Sequence, residues 1–158
     1  MTDPHEFLLQ RVQPMMVGLI DGSLSTLAPI FSVALVSHKP FYAFIAGLAT
    51  SIGAGISMAF SEGLSDTGEL TGRGSPFVRG GITGIGTFIG GILHSLPFLI
   101  PSYNAALITG FIVVAFELIA LAALRARFFS TGFASSLAAV SLAGGVIVAV
   151  SATLGATA

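Results

Sequence analysis

The chain has 158 residues, of which 54% are hydrophobic and 8% are charged, and its formal net charge is −1. Soluble domains carry about 25% charged residues, so this chain lacks the polar surface that a soluble fold of its size needs. The composition therefore predicts an integral membrane protein. The small net charge gives no reason to expect a nucleic-acid partner, and the lack of cysteine excludes disulfides and thiolate metal sites.

The first fourteen residues form a polar head, which we expect to make one or two helical turns at the membrane surface. This head is not a signal peptide, because acids precede the first apolar run and no small-residue cleavage pattern follows that run. Residues 15–158 predict one all-α domain with five transmembrane helices. The expected helices cover about 15–36, 41–62, 77–100, 105–124 and 133–154.

The first predicted helix carries an acid, Asp21, inside its apolar run. A charged side chain near the centre of a membrane helix costs roughly 2.5–3.5 kcal/mol on insertion scales. We therefore expect Asp21 to face a protein interior, a water-filled path or a cation. The alternative is an acid near the interface that bonds to Ser25, one helical turn further on.

A proline in the same helix, Pro29, predicts a kink. Pro29 has no N–H, so the carbonyl of Ser25 loses its usual helical partner. Asp21, this carbonyl and the neighbouring hydroxyls would form a notch of oxygen atoms. Broken membrane helices often bind cations with such groups.

The second predicted helix ends with Met58 and Glu62, which are four residues apart and share a helical face. Asp66 and Glu69 would lie within about 80° of that face if the helix continued. The glycines nearby favour a turn at 66–68 instead. The alternatives are that Met58 packs against lipid or in the core and that Glu62 is an interfacial acid.

The third and fourth predicted helices add small and polar residues. Toward the far end of the third, His94 is expected to be a local hydrogen-bonding group. The fourth carries Glu117, a candidate proton or pathway residue. Two small-xxx-small pairs allow close helix packing, either within one subunit or in a dimer, and they are formed by Gly80, Gly84, Gly86 and Gly90.

The basic residues predict the orientation. Lys39 lies on one side, whereas the other five lie on the side of the N-terminus, which predicts a cytoplasmic N-terminus and an outer C-terminus. Because every arginine lies at a helix end or in a loop, ion pairs within the spans are not expected. A bound cation or shared protons would then offset the cost of the acids. The five are Arg11, Arg73, Arg79, Arg125 and Arg127.

The candidate ligands favour a particular class of metal. Carboxylates alone suit Mg²⁺, Ca²⁺ or Mn²⁺, whereas a methionine thioether adds a softer ligand. Fe²⁺ fits this set best, followed by Mn²⁺, Co²⁺ and Zn²⁺. Neighbouring carboxylates take up protons as a coupled set, so exchange of metal for protons is physically reasonable.

Two motifs carry a resemblance to a known family. GLIDGSLST at 18–26 and SMAFSE at 57–62 resemble the paired signature of the vacuolar iron transporter family. The chain looks more similar still to the membrane domain of bacterial membrane-bound ferritin exporters, and the likeness covers nearly everything from residue 13 onward. Three further stretches, 21–29, 70–76 and 94–101, also look like that branch.

The resemblance implies a homodimer in a bacterial cytoplasmic membrane, with its pathway near the subunit interface. It implies export of Fe²⁺ or Mn²⁺ by proton antiport, with the metal as substrate and no resident cofactor. The metal-pathway residues it implies are Asp21, Met58 and Glu62. The chain lacks the long glutamate-rich insert of vacuolar members, which leaves Asp66 and Glu69 as candidate entry residues beside Glu62.

Two other functions compete with transport of a metal. Only about fourteen residues precede the first predicted helix, so the ferritin-like domain of that branch is not expected here, and a separate ferritin-like protein is a candidate partner. A non-transporting scaffold or regulatory subunit is the main alternative, and a carrier of small organic solutes is less favoured because no basic or aromatic side chains line the expected path. An enzyme is not expected, because the sequence has no nucleophile–base pair, phosphate loop or hydrolytic metal motif.

Overall fold

The computed structural model describes residues 3–156, and every regular element in that range is a helix. Five of them are long and apolar enough to cross a membrane, which confirms the predicted all-helical membrane fold. They are α1 at Pro4–Ser37, α2 at Pro40–Ser65, α3 at Pro76–Ser95, α4 at Tyr103–Phe129 and α5 at Phe133–Ala156. A 3-10 turn, Leu96–Leu99, follows α3.

Helix α1 joins the polar head directly to the first membrane crossing. A π-helical segment, Leu8–Val12, connects the two, and within it the Gln13 N–H donates to the Leu8 carbonyl. The head is therefore part of one 34-residue helix rather than a separate surface turn.

Helix α1 is also interrupted in its middle, at Thr26, between the segments Gln13–Ser25 and Leu27–Ser37. This interruption lies three residues before Pro29, in the region where the sequence predicts a kink. Because Pro29 has no N–H, the Ser25 carbonyl has no helical partner there.

Prolines also set several helix boundaries. Pro40 and Pro76 stand in the first turns of α2 and α3, where a missing N–H costs nothing. Helix α3 ends at Ser95, shortly before Pro97, and so it is shorter than the predicted 77–100. Helices α2 and α4 run three and five residues beyond their predicted ends, to Ser65 and Phe129.

The hydrophobic core lies in the half of the bundle that contains the α1–α2 connection. Phe31 is buried at its centre, where its ring meets Phe98 edge-on at 5.9 Å and stacks on Phe111 at 4.7 Å. The other buried members of this core are Leu27, Ile30, Ala34, Ala43, Ala106 and Val114.

Glycines bring the helices together in the other half. Gly18 and Gly22 of α1 lie against the backbone of α3 at Thr83 and Thr87, leaving no room for a Cβ atom. The four α3 glycines that the sequence highlights all pack within the subunit: Gly86 and Gly90 face α1, and Gly80 and Gly84 face α2. Both small-xxx-small pairs thus serve packing inside one chain.

Candidate functional site

Glu62 lies in a network of ion pairs at the end of α2. Its Oε1 accepts hydrogen bonds from Arg73 Nη2 at 2.6 Å and from Arg79 Nε at 2.9 Å. Asp66 Oδ2 lies 3.1 Å from Arg73 Nη1 and 3.3 Å from Arg79 Nη2. Two acids and two arginines therefore form a neutral cluster. The expectation that no basic residue stands beside the predicted acids is wrong for Glu62.

Arg79, a member of this cluster, is completely buried. It lies in the first turn of α3, and the short α2–α3 connection brings that turn level with the last turn of α2. Its remaining guanidinium N–H groups reach the carbonyls of Gly74 at 3.1 Å and of Asp66 at 3.4 Å. Arg79 therefore fixes the connecting loop as well as the acids, as the rigid fork of a guanidinium allows.

Asp66 begins the turn that the sequence predicts after α2. Its Oδ1 accepts from the Gly68 N–H at 2.5 Å and from the Thr71 hydroxyl at 3.2 Å. The helix therefore does not continue to carry Asp66 on the face of Glu62. Although desolvation opposes ionisation, the Gly68 amide, the charge of Arg79 and the bonds from Thr71 and Arg73 hold the pKa of Asp66 below its usual range.

Asp21 and Glu62 lie at different depths in the bundle. Glu62 contacts Arg79, whereas Gly22, the neighbour of Asp21, packs against Thr87 two turns further along α3. Eight helical residues correspond to about 12 Å. The structure therefore does not bring these two predicted ligands into one coordination sphere.

Met58 lies between the levels of these two acids. Its neighbour Ala59 packs against Gly84 of α3. Met58 is partly buried and lies seven residues from Ser51, so both share one face of α2. Ser51 and Thr26 of α1 both approach Gly91, which shows that this face of α2 turns toward α1. Met58 and the acids thus mark successive levels along the α1–α2 side of α3.

Asp21 is partly buried, and no side chain or backbone N–H within residues 3–156 donates a hydrogen bond to its carboxylate. Ser25 shares its face one turn on, but the Ser25 hydroxyl oxygen is buried without a hydrogen-bond partner. The alternative in which Asp21 bonds to Ser25 is therefore not what the structure shows. An unpaired carboxylate stands beside a free hydroxyl and a carbonyl without a helical partner, and oxygen atoms of these kinds bind divalent cations.

The candidate ligands are sparse within one chain. Nowhere in residues 3–156 do three histidine, aspartate or glutamate side chains come together as a metal-binding group. Glu69 is exposed in the α2–α3 loop. A single described subunit therefore offers a series of isolated donors rather than a closed coordination site.

A second buried polar group, away from these acids, joins three helices. The Ser23 hydroxyl of α1 lies 2.5 Å from Glu117 Oε1 of α4, and His94 Nε2 of α3 lies 2.9 Å from Glu117 Oε2. His94 is 1% exposed and Ser23 is fully buried. We call these residues the Ser23–His94–Glu117 triad. The sequence singled out His94 and Glu117 separately, but nothing in it indicates the helix rotations that bring them together.

Comparison of the chain with protein-family models, with curated proteins and with solved structures found no match in any of the three.

Proposed function

We propose that this protein is a divalent metal transporter that moves Fe²⁺ or Mn²⁺ out of the cytoplasm in exchange for protons. The observation that supports this most is Asp21, an unpaired carboxylate next to a helix interruption inside a membrane span. Such a charge is expensive in a bilayer unless a cation or a proton neutralises it. A transported cation provides that neutralisation and explains why the neighbouring oxygens are also without partners.

The proposed route has three levels. Metal first meets Glu62 and Asp66, with exposed Glu69 nearby to collect it. It then passes Met58, whose thioether favours Fe²⁺ over Mg²⁺ or Ca²⁺. It reaches Asp21 at the interruption of α1, where the Ser25 oxygens complete part of its coordination.

A homodimer fits this route better than a single subunit. Each described chain supplies isolated donors, so a second copy facing the Asp21 and Met58 side would double the number of ligands at each level. The resemblance to vacuolar iron transporters implies the same homodimer. The positions of the basic residues predict a cytoplasmic N-terminus, and a ferritin-like protein is a candidate partner for metal delivery.

Proteoliposomes test the proposal. Purified protein is reconstituted with a pH dye and a metal-sensitive dye inside, and Fe²⁺ or Mn²⁺ is added outside under either direction of pH gradient. We expect metal movement with opposing proton movement in the wild type and loss of both in Asp21→Asn and Met58→Ala. Glu6→Gln, which removes an exposed acid of the head, is the matched control and retains transport. Wild-type rates in Asp21→Asn would contradict the proposed site.

The scaffold alternative, in which glycine-rich helices bind a partner, is less well supported. That alternative relies on the glycine-rich helix as a surface for a partner, whereas the four glycines in question pack within the subunit. The scaffold alternative would be favoured only if the wild-type protein transported no metal under either gradient and copurified with another membrane protein.

A further inference from the structure

The Ser23 hydroxyl has one hydrogen and two oxygen neighbours. Its Oγ lies 2.7 Å from the Leu19 carbonyl and 2.5 Å from Glu117 Oε1. A carbonyl oxygen only accepts hydrogen bonds, and an ionised carboxylate only accepts them too. If Glu117 is ionised, the one hydroxyl hydrogen of Ser23 can be donated to only one of these two oxygens. The other contact is then a close approach of two oxygen atoms with no hydrogen between them.

A proton on Glu117 resolves this conflict. The Glu117 O–H then donates to Ser23 Oγ, and the Ser23 hydrogen donates to the Leu19 carbonyl. Both short contacts become hydrogen bonds in one continuous chain. The 2.5 Å separation also lies at the short end of the range for hydroxyl–carboxyl bonds.

His94 supplies a second position for a proton. Its Nε2 lies 2.9 Å from Glu117 Oε2, but the two are not aligned as a hydrogen bond, and Nδ1 has no partner within the described residues. Buried polar atoms without partners are costly. A neutral imidazole with a free nitrogen beside a carboxyl group can therefore accept the proton that the carboxyl group releases.

Within the described residues, no other ionisable side chain forms a hydrogen bond or an ion pair with the triad. Within the described residues, α5, the second half of α1 and the 3-10 turn contain no titratable side chain. On α1, Asp21 is two residues from Ser23 and thus points to a different side of the helix. Arg125 and Arg127 lie two or more turns away on α4, and Glu62 lies at the far end of α2. His94 is thus the titratable group that faces Glu117.

We propose that the Ser23–His94–Glu117 triad is the proton-binding site of this protein, separate from the acids of the metal route. This inference rests on the proposed function for its role in transport. A proton from water binds Glu117 and converts the carboxylate to the neutral acid; its release restores the carboxylate and passes the proton to His94 or to water. On release, the Ser23 hydrogen turns from the Leu19 carbonyl to Glu117. Ser23 lies three residues before the interruption at Thr26. Each gain or loss of a proton by Glu117 therefore changes the hydrogen bonding of α1 close to that interruption.

Two protons or a metal ion are less suited to the triad. A metal ion would find one carboxylate, one imidazole and one hydroxyl, which is fewer than the four ligands of a closed zinc site. A doubly protonated pair would carry a buried positive charge without a counterion.

Infrared difference spectroscopy of the reconstituted protein tests the site without requiring transport. Spectra recorded across a pH titration show the C=O stretch of a protonated carboxyl group wherever one gains or loses its proton. We expect a band that disappears in Glu117→Gln and shifts in frequency in Ser23→Ala and His94→Gln. Glu117→Gln should fold, because its amide NH₂ donates to Ser23 as the protonated acid does. If the pH-dependent carboxyl bands of Glu117→Gln are identical to those of the wild type, the proposal is overturned.

Proteoliposome fluxes then test the role of the triad in coupling. In Glu117→Gln, we expect proton counterflux to fall to the level of empty liposomes and metal movement to lose its dependence on the pH gradient. Wild-type proton counterflux in this variant would overturn the role of the triad in coupling. If the wild type moves no metal, the transport proposal fails, and the infrared band still decides whether the triad binds a proton.

Discussion

Arg79 is completely buried, and its Nε lies 2.9 Å from the Oε1 atom of Glu62 at the end of the neighbouring helix. A buried guanidinium needs a counterion, and Glu62 provides one while remaining 13% exposed itself. The same carboxylate is therefore a structural partner of an arginine and a candidate ligand for an arriving metal. These two roles predict different effects for the two arginines that contact it.

Replacing Arg79 should mainly affect stability. Arg79→Met removes one positive charge from the buried cluster and leaves the loop carbonyls without a donor, so we expect a loss of roughly 3 kcal/mol in the free energy of unfolding. Thermal unfolding in detergent measures this. Arg127→Met is the matched control, because Arg127 is exposed and makes no ion pair within the described part of the chain. Equal melting temperatures for the two variants would show that the cluster contributes no stability.

Replacing Arg73 should mainly affect metal entry. The Arg73 side chain is 22% exposed, and its guanidinium forms ion pairs with both Glu62 and Asp66. A cation that binds these acids must therefore displace the guanidinium. In Arg73→Gln, we expect a lower KM for Mn²⁺ in the proteoliposome assay, because fewer positive charges compete for these acids. Arg127→Gln should leave KM unchanged. An unchanged or higher KM in Arg73→Gln would remove Glu62 and Asp66 from the entry route.

The lowered pKa of Asp66 predicts a pH dependence of stability. A carboxyl group with a lower pKa in the folded state than in the unfolded state stabilises the fold above its unfolded pKa, about 3.9 for aspartate. That stabilisation is lost as the pH falls further, through the folded pKa. The difference in melting temperature between wild type and Asp66→Asn should therefore be largest at neutral pH and shrink below about pH 4. A difference that grows on acidification would contradict the direction of the shift.

The close approach of α1 and α3 at Gly22 predicts a packing defect. In Gly22→Ala, the new methyl group meets the Thr87 carbonyl of α3, and we expect destabilisation of about 1–3 kcal/mol from overpacking. Gly81→Ala is the matched control on α3, because a Cβ atom there meets open space and alanine favours a helix over glycine by up to about 1 kcal/mol. Unfolding in detergent should rank Gly81→Ala at or above the wild type and Gly22→Ala below it.

The five spans could be predicted from the sequence, because long apolar segments with few charges are stable as helices in a membrane and not in water. The helix ends were predicted less well. The polar head gave no sign that a π-helical segment would join it to α1, because π-helical hydrogen bonding depends on local geometry rather than on apolar periodicity. Pro97 did mark the true end of α3, although the apolar run continued past it.

The partners of the acids were harder to predict from sequence. Glu62 and Arg79 are seventeen residues apart, and only the antiparallel contact of α2 and α3 brings them together. The short connection between these helices was a usable signal, since it places their adjoining ends at one level. The triad offered no such signal, because its assembly depends on the rotation that Gly18, Gly22 and Gly90 impose on α1 and α3.

The two halves of the bundle differ in the kind of contact that holds their helices together. Around Phe31, large rings interlock, so any axial sliding would have to break many contacts at once. Between α1 and α3, the backbones themselves are in direct contact, because a Cβ atom at Gly18 or Gly22 would meet backbone atoms of Thr83 or Thr87. The interruption at Thr26 separates these two regimes within α1. The two segments of α1 are thus held by different kinds of contact, backbone against α3 before Thr26 and aromatic side chains after it.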